Sequence, residues 1–364
     1  MRTNVWRVPL LLFALTALLA ALWAGLLRLG WAWPVLNPML PIRHGPLMVS
    51  AFFGTLIGLE RAVALAKPWT YLGPLLSGVG GLLLLFGVPG PVGAILLATG
   101  SLGLVLVFIS ITRRHFALYT SVMALGALCW LVGNLIWLAG KPVYAVVFWW
   151  IGFLVLTITG ERLELSRVAR ITPFKQAAFL AACTLFLSGI VLTTYSYGSG
   201  VRVAGLGMVA LAVWLVLFDI ARRNMRKSGL TRFIAVCLFS GYIWLGISGL
   251  LALIYGGISG GLIYDAMLHA VFLGFVFGMV FGHAPIILPG VLNIPLTYHW
   301  ILYFPLVLLN ISLILRLSGD LGAAIWARQW GGLFNAIALL LYIILMAFLV
   351  ARGRRGGKSA PAIG

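Results

Sequence analysis

The chain has 364 residues, of which 63% are hydrophobic and only 9% charged, and its mean hydropathy is +1.13. That leaves too little polar surface to cover a water-soluble globule, so it reads as an all-α polytopic membrane protein whose first partner is the lipid bilayer. The net charge of +19 would suit nucleic acid, but the cations cluster at the ends of apolar runs, which argues for a topology signal and against a nucleic-acid partner.

Twelve apolar runs of about 20 residues are long enough to cross a hydrocarbon core. The first follows "MRTNVWR" and is like the apolar centre of a signal peptide, yet no small-residue cleavage site follows Leu27, so it counts as the first span. With the N-terminus in the cytoplasm, eighteen Lys and Arg fall on the cytoplasmic side and six on the other, with Arg61 set aside inside the second span. This bias places both termini in the cytoplasm, as in a multi-pass protein of a bacterial-type inner membrane. Residues 1–352 read as a single transmembrane domain, and residues 353–364, "GRRGGKSAPAIG", as a basic cytoplasmic tail near anionic headgroups.

The second span, "RHGPLMVSAFFGTLIGLERA", has a histidine beside an arginine at one end and Glu60-Arg61 at the other. The sixth carries "LTITGERLELSR" and the tenth "GFVFGMVFGHAPII" towards the same side. Spans two, six and ten are four apart and share a direction, a period compatible with three pseudo-symmetric four-helix units, although a few glycines and one Glu-Arg pair also recur by chance.

Only six acids occur in the chain, and three of them, Glu60, Glu161 and Asp265, belong to those three spans. Glu164 and Asp219 fall near cytoplasmic ends, and Asp320 and Arg316 in the last outer loop. Glu60, Arg61, Glu161 and Arg162 read either as interhelical ion pairs that fix register or, with His283, as an inner polar cluster that conducts protons or gates a ligand. His283 follows His269 by fourteen residues, which puts it on nearly the same helix face about 21 Å deeper.

Of five histidines, His115 and His299 lie near span ends and read as solvated. His44 and His269 lie in the outer halves of spans two and ten. If the three units close around an axis, these imidazoles face each other across a gap suited to a porphyrin, for which neutral imidazole is a good axial ligand. A hydrogen-bonded packing role is the alternative for each. Asp265, four residues before His269, can accept from its ring N–H, or can cap the helix mouth. Arg43 and Arg316 can meet carboxylates of such a ligand, or snorkel to the interface. Cys129, Cys183 and Cys237 have no spacing that suits a disulfide framework or a zinc site.

"HGPLMVSAFF" resembles the His-Gly-x-x-Met stretch, followed by aromatics, on the second helix of haem-copper oxidase subunit I. "LHAVFLGFVFGMVFG" is similar to the tenth-helix segment of that superfamily, and to the His-Ala-x-x-(Val/Leu)-Gly-x-x-x-x-Met pattern of the NnrS family, membrane proteins linked to nitric oxide stress and described as carrying haem and copper. The resemblance implies that His44 and His269 are the two axial ligands of a low-spin haem b. It departs where Met267 stands in place of the ligand to a second haem, where "WWIGFLVLTITGER" and "QAAFLAACTLFLSG" lack the copper-binding histidines, and where the NnrS His-x-His-Glu becomes His44-Gly45-Pro46-Leu47. What it implies is therefore a bis-histidine haem protein for electron transfer or a nitric oxide- or haem-linked response. Copper and a second haem have no recognisable ligands, so it is no stand-alone oxidase; electron donors or respiratory subunits would be its partners. Two other readings compete: a secondary transporter, although "ERAVALAKPWTYLG" lacks the major-facilitator signature, and a non-catalytic subunit of a respiratory membrane complex.

Overall fold

The computed structural model describes residues 4–167 and 171–356; of the cationic positions used for topology, Arg2, Arg170 and Lys358 lie outside it, as does the tail from residue 357. The described residues hold twelve helices long and apolar enough to span a membrane: α1 Val8–Arg28, α2 His44–Leu65, α3 Pro68–Leu85, α4 Val92–Arg114, α5 Leu118–Leu138, α6 Val143–Ser166, α7 Pro173–Leu192, α8 Tyr197–Phe218, α9 Gly229–Tyr255, α10 Gly261–Leu292 and α11 Trp300–Leu321, with α12 Ile325–Gly356. They contain no strand. In hydrocarbon every backbone N–H and C=O must be satisfied within the segment, which is why apolar runs of this length settle as helices. Prolines start α3 and α7, where the missing N–H costs nothing, and left-handed Ala66 and Asn293 end α2 and α10. α12 runs to Gly356, past the end of its apolar run.

Each helix packs on the next in sequence, and α12 returns to α1. Three stand apart by burial: 67% of α2, 78% of α6 and 61% of α10 is covered, against 33–56% for the other nine. The helices spaced four apart are thus the inner ones, and the ring of neighbours shields them from lipid. Trp130, Trp150, Phe53, Phe153 and Phe275 are wholly buried there. Cys129, Cys183 and Cys237 are buried free thiols.

Two inner helices change their winding just beyond their first histidine, α2 after Pro46 and α10 directly after His269. Leu47–Phe53 in α2 and Ala270–Phe277 in α10 are π-helical, a wider turn that is rare and concentrates at functional sites. Tryptophans from neighbouring helices press on both. A Cβ on Gly54 would lie 2.2 Å from the Trp130 ring, and one on Gly274 2.2 Å from Trp244, so only glycine admits these contacts.

Arg316 and Asp320 correct the sequence reading: both lie inside α11 and are buried, at 6% and 2% exposure, where an outer loop was expected. Partners of opposite charge explain the difference, because paired ions let the helix run a further turn than hydropathy suggests.

Candidate functional site

A cavity of about 770 Å³ lies between α1, α2, α6, α10 and α12, at the end of the bundle that the charge bias assigns to the outside. His44 and His269 both line it. Their ring centres are 6.3 Å apart and their planes 27° from parallel. The His44 Nδ1 lies 2.7 Å from the Ala21 carbonyl of α1, and the His269 Nδ1 2.9 Å from the Asp265 carbonyl one turn back. A carbonyl only accepts, so in each neutral ring Nδ1 carries the proton and Nε2 keeps its lone pair. Neither Nε2 has a hydrogen-bond partner among the described residues. Gly25 makes room for the first ring, because a Cβ there would sit 3.0 Å from the His44 Cε1.

Asp265 is engaged differently from the expectation. Its carboxylate accepts from Arg316 at 2.8 and 3.0 Å and faces Arg328 at 3.6 Å, leaving it 3.4 Å from the His269 Nδ1. The backbone carbonyl of Asp265 is the closer partner, so the carboxylate contributes charge near the ring more than orientation of it. Arg328 also pairs with Asp320 at 2.9 Å. Arg28 and Lys141 line the same cavity, and their side chains have no hydrogen bond or ion pair among the described residues. Four cations, Arg28, Lys141, Arg316 and Arg328, thus meet two carboxylates, Asp265 and Asp320, which leaves +2 on this wall. Arg43 takes no part: it donates to the Leu84 carbonyl at 2.5 Å and does not line the cavity. Arg28, Lys141 and Arg328 were not singled out in the sequence, where each looks like any cation at the end of an apolar run.

The expected inner cluster divides in two. Arg61 forms an ion pair with Glu161 and lies 3.5 Å from Glu60. Arg162 instead holds Asp219 through two bonds of 3.0 Å, and Ser166 donates to the same carboxylate at 3.1 Å. Glu60, Glu161 and His283 line a second cavity of about 320 Å³. Phe277 and Leu339 form walls of both cavities, and Phe277 stacks on Phe52 with centroids 5.9 Å apart and planes at 9°. No three His, Cys, Asp or Glu side chains converge to hold a metal ion among the described residues. His115 is exposed, and the His299 Nδ1 accepts from the Ile301 N–H at 3.2 Å.

No curated protein and no solved structure matches the chain. A family profile does match, over residues 7–351 and so over nearly all of the membrane bundle. By that match the chain belongs to the family described as domain of unknown function (DUF8744).

Proposed function

We propose that this membrane protein holds one b-type haem between His44 and His269 and serves in one-electron transfer. The observation that carries the reading is the pair of imidazoles 6.3 Å apart with both Nδ1 atoms committed and both Nε2 atoms free. Two in-line metal–imidazole bonds of roughly 2 Å each, with roughly 1 Å more from each nitrogen to its ring centre, sum to about 6 Å. The cavity is of the size that encloses a cofactor. Its surplus of two positive charges matches the two propionates of haem b, with Arg28 and Lys141 the cations left unpaired to receive them.

A bound haem supplies a reversible one-electron couple. The chain's own residues fix the rest. His44 and His269 would together hold the iron through their Nε2 atoms, which favours electron transfer or a nitric oxide- or haem-linked response over oxygen chemistry. Ala21 and Asp265 carbonyls hold the ring tautomers. Trp137 and Trp150 line the cavity and give it flat apolar walls. The charge bias supports cytoplasmic termini, as in a bacterial-type inner membrane protein, and a one-electron carrier would take respiratory electron donors as its partners.

A reduced-minus-oxidised visible spectrum of the purified protein tests the proposal. The low-spin six-coordinate signature of a b-type haem is expected, and His44→Ala and His269→Ala should each abolish it while His115→Ala leaves it intact. An unchanged spectrum in either of the first two variants, or protein that binds no haem when haem is supplied, refutes the assignment.

A further inference from the structure

The second cavity takes no part in the proposed haem site, yet it has the features of a ligand site in its own right. Its volume of about 320 Å³ falls within the range of small-molecule pockets. Most of the wall is apolar, and Ile343 is part-exposed while Ala347 is exposed on α12, so the cavity borders the lipid. Phe52 and Phe281 add flat faces, each already stacked in an aromatic pair. The polar part is made by Glu60, Glu161 and His283, together with the Thr157 hydroxyl, which is buried without a partner, and that of Tyr342, which donates to the Phe281 carbonyl at 2.7 Å.

This polar part has more acceptors than donors. The His283 Nδ1 donates to the Met279 carbonyl at 2.8 Å, so its Nε2 holds a lone pair. That Nε2 is buried and has no partner among the described residues. Arg61 is the cation for two carboxylates, which leaves Glu60 acceptor capacity beyond its 3.5 Å contact. A buried acceptor without a donor costs free energy that a ligand recovers by supplying one. The complement is a molecule that reaches the site from the bilayer, has a flat apolar body and carries hydroxyl donors at its head.

We infer that the second cavity binds a lipid-soluble hydroquinone, with a ring hydroxyl donating to the Nε2 of His283 and a second acceptor provided by Glu60. The oxidised quinone offers only carbonyl acceptors, which the Thr157 hydroxyl can meet but which leave the Nε2 of His283 unmet, so the site prefers the reduced form. This inference rests on the second cavity alone and does not require the haem reading.

The test uses the full chain in lipid nanodiscs under anaerobic conditions, with calorimetric titration of 2-decyl-1,4-hydroquinone, its quinone and decylbenzene. Saturable binding of the hydroquinone is expected, at least about tenfold tighter than that of the other two, the size of one well-made buried hydrogen bond. His283→Leu should weaken hydroquinone binding about tenfold, the loss of the one bond to Nε2. Ile343→Trp, which fills the cavity from α12, should abolish binding of all three and serves if the histidine variant does not fold. Equal affinity for the three probes, or undiminished hydroquinone binding in either variant, overturns the inference. Haem absorption recorded on the same samples keeps the two proposals apart, because its absence with hydroquinone binding intact refutes only the haem.

Discussion

Each imidazole of the pair reaches its tautomer through a different neighbour, His44 through a carbonyl of another helix and His269 through its own. The charges around them differ in kind as well, since Asp265 is negative and paired whereas Arg28 and Lys141 are positive and unpaired. If a haem sits there, substitutions on the two sides should move its midpoint potential in opposite directions. Asp265→Asn removes negative charge, disfavours the ferric state and raises the potential; Arg28→Gln and Lys141→Gln remove positive charge, lower it and weaken haem retention. Shifts on the order of tens of millivolts by redox titration are expected from charge at this range, and shifts of the same sign in all three would show that the wall does not act through its charge. The facing of the two histidines was legible because both lie in the outer halves of spans that share a direction and a period of four. Arg28, Lys141 and Arg328 were not, because a snorkelling cation has the same sequence context whether it faces lipid or a cavity.

At the level of helices, α1 contributes to the histidine pair without supplying a ligand. Gly25 lets the His44 ring lie against α1, where an added Cβ would already stand at 3.0 Å. Gly25→Val adds two further methyl groups on top of that contact. The expected outcome is loss of the six-coordinate spectrum with helix content by circular dichroism unchanged; a wild-type spectrum would mean that the ring has freedom the packing denies it. The twelve spans themselves were legible from hydropathy, as bilayer thickness sets their length. The π-helical turns at Leu47–Phe53 and Ala270–Phe277 were not, since they differ from α-helix by one residue per turn and arise from packing rather than from residue preference. The last turn of α11 was missed for a related reason: Arg316 and Asp320 look like loop residues until their partners are known.

Across the whole molecule, the placement of α2, α6 and α10 at the centre accounts for the period of four that the glycines and Glu-Arg pairs suggest. Those central positions hold the paired histidines and the Glu60–Arg61–Glu161 group, which a lipid-facing helix could not carry unpaired. Metal analysis of haem-loaded protein is expected to find about one iron per chain and no stoichiometric copper, because no three ligating side chains converge among the described residues; copper at one per chain together with sustained oxygen or nitric oxide consumption would overturn this. The eighteen-to-six charge bias makes a separate claim, that a reporter fused after Gly364 is active only as a cytoplasmic fusion and one near Ser199 only as an external fusion. The opposite result would invert every depth assigned above. Arg162 marks the limit of the sequence reading at this scale, since its choice of Asp219 over the Glu60 group depends on how α8 meets α6.

The facing of α2 and α10 also sets an order in time. His44 and His269 are separated by 269 − 44 = 225 residues, a stretch that takes ~10–45 s to synthesise at typical elongation rates. Throughout that interval the first imidazole is already in the membrane with half of its eventual surroundings, and Arg316 and Arg328 have yet to emerge. A chain stalled after Tyr255 therefore has His44 but nothing opposite it, so a ligand held by both imidazoles could be seated only once α10 has emerged.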